Sequence, residues 1–383
     1  MTVYLDNAAT TAPAPEVVEA VVRTMRDGYG NPSSRHGRGA AAARALAQAR
    51  QEVAALIGAE PEEVIFTGSG TEADALGVVG AARAARGRHL VVSALEHAAV
   101  YESARQLASE GWRMDEVAPA QDGRVTVDSV LQAIRPDTSL VAIMLANNEI
   151  GSLQPVPDLA RAVRAQGQKI HFHVDAVQCA SLLPIDVRGL GVDSLALSAH
   201  KLHGPQGVGA LWLRPGKRIT ALYGGGGQEH NLRPGTENLP GCVGFGVAAS
   251  LARGARDSVA RVASLRDQLE DLVFARLPQV RPTIARTTPR VPHISNVLLP
   301  GVPAEPVLHA LAARSVFASE GAACRARTRA PSRVMRAIAV PSGTGTLRFS
   351  LSRFTTPSDI EAAVSALVAA LGEIEGAAHI CQR

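Results

Sequence analysis

Lysine occurs at only three positions in this 383-residue chain, Lys169, Lys201 and Lys217, so arginine carries nearly all of the positive charge. One of them lies within Ser198–Pro205 (SAHKLHGP), at the end of an apolar stretch, between two histidines and ahead of a Gly-Pro turn. Arginine serves a surface charge equally well, whereas a Schiff base requires an amine that can lose its proton. Lys201 is therefore the candidate point of covalent attachment for a carbonyl cofactor, with pyridoxal phosphate the first choice.

Other polar clusters surround it in sequence. Thr67–Glu72 (TGSGTE) follows an apolar run and precedes a helical pattern. Its glycines let the backbone approach an anion, and Thr71 can cap a helix whose free N–H groups suit a phosphate. An ordinary strand–turn–helix would look the same, since the segment is neither GxGxxG nor a P-loop. His173–Gln178 (HVDAVQ) ends another run. Asp175 can be a solvated loop acid, a metal ligand with His171 and His173, or the partner of a cofactor nitrogen. Strand alternation puts the two histidines on one face, and no second histidine–carboxylate cluster supports a metal. A Schiff-base cofactor needs one acid to keep its ring nitrogen protonated. Asp175 and Lys201 are 26 residues apart, which suits neighbouring strands joined by one crossover.

His97, after Glu96, can stack on a flat ring or move a proton near neutral pH, or be merely structural. Asn147 and Asn148 can form a turn, or hydrogen-bond a substrate carboxylate or a ring hydroxyl. Gly224–Gln228 and Arg233–Asn238 form a long polar connector suited to function or an interface. Cys324 stands among small and charged residues beside Arg325, Arg327 and Arg329, which predicts an exposed loop. Nearby cations lower a thiol pKa from roughly 8.5 and raise the thiolate fraction, although the chain is Arg-rich throughout. Arg348 and Arg353, five apart, cannot share one face of a regular strand, so one leaves it and is free to grip a carboxylate.

Strand-like runs at Glu63–Thr67, Leu90–Ser93, Leu140–Leu145, Ile170–Val174, Ser194–Ser198 and Gly209–Leu213 alternate with helical patterns at 40–57, 71–85, 97–110 and 156–166. Strands apolar throughout predict a mostly parallel sheet covered on both faces, with ligands beyond its carboxyl edge. After about residue 250 a helical pattern runs to about 276, followed by Pro-rich turns and an Ala-rich helix from Pro357. The expected α/β organisation is a large domain over 15–250 and a smaller α+β domain over 1–14 and 251–383. Net charge is +4, and the basic residues are scattered without interleaved aromatics, which argues against direct nucleic-acid binding. No run of about 18 apolar residues predicts a membrane span, and the start MTVYLDNAATT does not read as a signal peptide. Cys179, Cys242, Cys324 and Cys381 show no CxxC spacing, which argues against zinc or a disulfide framework and fits a reducing cytoplasm.

Together these segments, with Tyr4–Thr11, Gly30–Ser34, Gly225–Asn238, Ala323-Cys324 and Ser352–Thr356, closely resemble the cysteine desulfurases, a pyridoxal-phosphate family of the class V aminotransferase group. The resemblance implies the type I fold of pyridoxal-phosphate-dependent transferases and a homodimer. It makes Lys201 the Schiff-base lysine and the base for the substrate's α-proton. It assigns Asp175 to the pyridine nitrogen, Gln178 to the ring hydroxyl, and His97 to stacking and to proton transfer at the thiols. Gly70, Thr71, Ser198 and His200 would hold the phosphate with Thr236 of the partner subunit, and Asn148 and Arg353 would bind the substrate carboxylate. The Cys324 thiolate would attack the sulfur of L-cysteine, release alanine and carry a persulfide to an acceptor protein or scaffold. Iron–sulfur assembly, tRNA thiolation, DNA sulfur modification and biosynthetic sulfur are all compatible destinations.

The chain departs from the family at Gly68–Thr71, at Asp74 and Ala75 where an asparagine pair is usual, and in the Arg-rich Cys324 loop. A selenocysteine lyase would share nearly every named residue. A transaminase would not need Cys324, a non-catalytic docking protein would not need Lys201 and His97 with it, and a zinc protein on His171, His173 and Asp175 is the remaining alternative.

Overall fold

The computed structural model describes residues 2–321 and 332–381, the side chains of 375–381 excepted. Its strands are β1 (Val3–Tyr4), β2 (Val64–Thr67), β3 (His89–Ser93), β4 (Arg113–Val117), β5 (Thr138–Ala142), β6 (His171–Asp175), β7 (Ser194–Ser198), β8 (Gly209–Leu213), β9 (Arg281–Pro282), β10 (Ile294–Leu299), β11 (Val316–Phe317) and β12 (Gly345–Ser350).

A seven-stranded sheet runs in the order β2-β8-β7-β6-β5-β3-β4. Neighbours from β4 to β7 are parallel, and β8 lies antiparallel to both β7 and β2. Every residue of β2, β3, β5, β6 and β7 is buried. Helices cover both faces of such strands, so no polar alternation is required of their sequences. β4 is the strand the sequence pattern does not announce. It lies at the sheet edge, pairs only with β3, and leaves Arg113 and Glu116 exposed.

The helices at Gly37–Leu56, Ala98–Ser109 and Val156–Ala165 fall close to their expected positions. The pattern over 71–85 becomes Gly70–Ala75 and Ala81–Ala84 with a π-turn, Leu76–Gly80, between them. The long pattern ending near 276 is two helices, Leu239–Gly254 and Ser258–Arg276. Beyond them β12, β10 and β9 form an antiparallel sheet, and β1 pairs in parallel with β11. One apolar cluster joins Val3 and Leu5 to Leu269, Val297, Val307, Leu347 and Ile360, while a larger one surrounds the seven-stranded sheet. Among the described residues no helix is long and apolar enough to cross a membrane.

These pairings bring the C-terminal ends of β2, β3, β5, β6 and β7 to one edge. The register sets Thr67 opposite Gly209 and Gly209 opposite Ser198. Clusters far apart in sequence therefore meet because each follows one of these strands.

Candidate active site

A cavity of about 300 Å³ opens at that edge, and its walls include Gly70, Thr71, His97, Asn148, Asp175, Gln178, Ser198, His200 and Lys201. Lys201 ends the 3-10 turn Ala199–Lys201 directly after β7. Its Nζ donates to the carbonyl oxygens of Ala8 at 2.5 Å and Ala9 at 2.6 Å. Those carbonyls are held in turn: Asn7 Nδ2 donates to the Ser350 carbonyl at 2.8 Å, and the Ala8 amide donates to Ser350 Oγ at 2.9 Å. Gln178 Nε2 donates to the same Ala8 carbonyl at 2.9 Å. The N-terminal segment is thus a wall of the cavity, and it fixes where the lysine amine rests.

Asp175 ends β6 and is buried, and its Oδ1 accepts the Val177 amide at 2.9 Å. Burial pushes its carboxyl above the ordinary range, while the positive charge of His97 and Lys201 and the Val177 amide pull it back. His97 caps the helix Ala98–Ser109, with Nδ1 accepting the Ala99 amide at 3.1 Å. That bond places the proton of the neutral ring on Nε2. Burial lowers the His97 pKa, Asp175 opposes the shift, and Lys201 and Arg333 add to it. Asp74, His97 and Asp175 each present an atom within 4.8 Å of the other two.

The helix Gly70–Ala75 begins at the same edge. Its cap is Ser69, not Thr71: Ser69 Oγ accepts the Glu72 amide at 3.1 Å. Ser69 precedes the first helical residue and so has the extended backbone a cap requires, while Thr71 already lies inside the turn and is exposed on the cavity wall. Gly209 is needed beneath this turn, because a Cβ there would sit 2.4 Å from the Ser69 carbonyl carbon and 2.7 Å from the Gly70 nitrogen. The cavity therefore gathers an amine, a buried carboxylate, hydroxyls from Thr71 and Ser198, the imidazoles of His97 and His200, and the Gly70 turn. Such a set can hold a group bearing a phosphate, a protonated ring nitrogen and an aldehyde.

Two expected residues stand apart from this cavity's walls, and a third lies outside the described residues. Arg353 lies past the end of β12, with its guanidinium carbon 5.0 Å from the Phe354 ring centre. It lines a second, smaller pocket together with His203, His293, Ser352 and Lys201. Thr236 is exposed and lines neither pocket. Cys324, with Arg325, Arg327 and Arg329, lies outside the described residues, but the flanking Gly321 and Ser332 both line the larger cavity.

The structure adds residues to the site beyond those the resemblance assigns. Arg348, fully buried in β12, reaches the cavity wall, donating to the Asn148 carbonyl and to Asp6 Oδ1, each at 2.7 Å. Glu149 Oε2 accepts from Ser332 Oγ at 2.6 Å. Arg333 donates to the Glu96 carbonyl and lies 3.5 Å over the Tyr101 ring. Glu96 is buried, with Oε1 accepting the Met144 amide at 2.7 Å and its carboxyl pushed up to about 8 by burial. His171 and His173, the alternative zinc ligands, bond to a serine: His171 Nε2 and His173 Nδ1 both lie 2.8 Å from Ser194 Oγ.

The aminotransferase class-V family profile matches residues 3–363. A cysteine desulfurase of Cereibacter sphaeroides is 43% identical over 364 residues, covering 94% of this chain and 93% of that protein. A cysteine desulfurase IscS of Methanosarcina thermophila is 39% identical, covering 94% of this chain and 89% of its own length. Among solved structures, a NifS-like protein superposes with a TM-score of 0.91 at 31% identity, covering 97% of this chain and all (100%) of that one. SspA in complex with cysteine superposes with a TM-score of 0.81 at 31% identity, covering 93% of this chain and 100% of that one.

Proposed function

This chain belongs to the aminotransferase class-V family, and from that premise we propose that it is a cysteine desulfurase, releasing L-alanine from L-cysteine and passing the sulfur through Cys324 to an acceptor. The observation that carries the reading is the meeting of Lys201, Asp175 and His97 on one cavity whose wall also includes Gly321 and Ser332, the residues flanking the Cys324 segment. The donor set fits pyridoxal phosphate. Gly70, Thr71, Ser198 and His200 would hold its phosphate, joined by Thr236 of the partner subunit. Asp175 would face the ring nitrogen, with Gln178 and Asn148 at the ring hydroxyl. When bound, the cofactor supplies an aldehyde for an amine and a ring that takes up the electron pair freed at the α-carbon.

The protein's own residues divide the remaining work. Lys201 anchors the cofactor and moves the α-proton, and the Ala8 and Ala9 carbonyls hold its amine at the cavity wall. Burial lowers the His97 pKa, and the neutral ring carries its proton on Nε2 and donates from that atom. Asn148 and Arg353 take the substrate carboxylate, the arginine from the pocket that shares Lys201. The Cys324 thiolate attacks the substrate sulfur. An S–S bond forms as the C–S bond breaks, the carbon fragment gains a proton and leaves as alanine, and the persulfide remains on Cys324.

A homodimer suits this surface. Val18, Val22, Met25 and Tyr29 are exposed at helical spacing along and just beyond Pro15–Arg26, an apolar stripe that a second copy would cover. The test is alanine and sulfide release from L-cysteine with a reducing thiol, beside Cys324→Ala. Loss of both products in the variant supports the reading. Full activity in the variant would remove Cys324 from the mechanism, and selective retention with selenocysteine would favour a lyase.

A further inference from the structure

Behind Asp175 lies a hydrogen-bonded chain that the reaction above does not use. Asp74, on the helix Gly70–Ala75, is 1% exposed and places Oδ1 3.2 Å from His173 Nε2. His173 Nδ1 is 2.8 Å from Ser194 Oγ, which lies at the same distance, 2.8 Å, from His171 Nε2. His173 and Ser194 are cross-strand partners on β6 and β7. The sequence makes room for this arrangement: a Cβ on Gly77 would fall 2.3 Å from Cε1 and Nδ1 of His173, and Gly77 sits in the π-turn. Such turns often mark functional sites.

The chain admits two polarities. If Asp74 is neutral, its O–H donates to His173 Nε2, His173 Nδ1–H donates to Ser194, and the serine hydroxyl donates to His171. If Asp74 is ionised, every bond reverses. The carboxyls of Asp74 and Asp175 present oxygens within 4.8 Å of each other, and both side chains are buried. Two negative charges so placed disfavour one another by about 2.5 pH units at an effective dielectric constant of 20. The Val177 amide and the Lys201 ammonium favour the ionised form of Asp175, whereas Asp74 meets burial, Asp175 and Glu96, all of which raise its pKa.

We propose that Asp74 is the proton-bearing partner of Asp175: its carboxyl stays neutral, donates to His173 at the head of the chain through Ser194 to His171, and leaves the negative charge of the pair on Asp175. Asp74 is thus a positioning residue. This rests on the reading of Asp175 as partner of the cofactor nitrogen.

The test is ¹⁵N NMR of histidine-labelled protein as purified, with His173→Gln to assign the ring signals. The expected result is a His173 ring protonated at Nδ1 and bare at Nε2. Asp74→Asn should keep that tautomer, because its amide donates to the same nitrogen. It should also remove the infrared C=O band of an un-ionised carboxyl and leave the pH midpoint of the bound cofactor's absorbance nearly unmoved. A wild-type His173 protonated at Nε2, or a midpoint clearly lowered in Asp74→Asn, would overturn the proposal. Protein that carries no such absorbance would refute the cofactor reading, and the His173 tautomer would still decide the proton's place.

Discussion

Gly77→Ala is a small perturbation aimed at the least obvious part of the site. The added methyl would lie 2.3 Å from two atoms of the His173 ring, against an ordinary contact of at least 3.4 Å, so ring or helix must give by about 1.1 Å. The ring is held on both sides, by Ser194 at 2.8 Å and Asp74 at 3.2 Å, and His173 is fully buried. Overpacking of this kind costs about 1–3 kcal/mol. With an unfolding entropy of about 2.1 cal/mol/K per residue, a chain of this length should melt about 1–4 °C lower. The reasoning requires the sign to reverse when the ring is removed. In a His173→Ala background the methyl enters vacated space, and alanine is a better helix former than glycine by up to about 1 kcal/mol. The double-mutant cycle should therefore show a coupling of about 1–4 kcal/mol, above additivity error. Circular-dichroism melts of the four proteins measure it. Equal effects of Gly77→Ala in both backgrounds would refute the steric argument.

Lys201→Arg should retain the charge yet abolish alanine release as completely as Lys201→Ala, because a guanidinium can neither attach the cofactor nor take a proton; activity surviving in the arginine variant would rule out the assigned role. Arg348→Met should cost about 3 kcal/mol, since it leaves Asp6 and the Asn148 carbonyl without their buried partner, and a melt unchanged from wild type would show the ion pair to be dispensable. Acid should destabilise the fold beginning near pH 6.5. His171 is pushed down to about 4, and His173 and His293 to about 3, all by burial, so below pH 6.5 the unfolded chain binds protons that the folded chain refuses. Each such histidine contributes on the order of 1–2 kcal/mol lost by pH 5, while Glu96, raised to about 8, works in the opposite sense and gains stability as pH falls below 8. Denaturant melts from pH 8 to 5 check this, and stability still rising at pH 5 would contradict it.

What the sequence reveals about the fold follows from burial. β2, β3, β5, β6 and β7 are recognisable by their apolar residues, and they are buried throughout although β6 (HFHVD) and β7 (SLALS) interleave polar side chains; the polar clusters stand out because they begin where those strands stop. β4 escapes notice because an edge strand with exposed Arg113 and Glu116 carries no such signal. The break between Gly254 and Ser258 is equally quiet, having neither proline nor glycine within it. In the site, Lys201 is legible by its rarity. Arg348 is less so, since its value depends on Asp6 and Asn148, which come from distant parts of the chain.

Asp74 shows why a departure from a family pattern needs the structure before it can be weighed. In sequence, an aspartate where asparagine is usual looks like an added charge beside a cofactor site. In the fold that side chain is buried near a second carboxyl, with His173 Nε2 at 3.2 Å. A neutral carboxyl presents one donor and one acceptor, much as an asparagine amide does. If the proton resides on Asp74, the substitution preserves the electrostatics that asparagine would give and adds only the capacity to exchange that proton along His173, Ser194 and His171. The departure then alters how the charge on Asp175 is maintained, and not whether it is present.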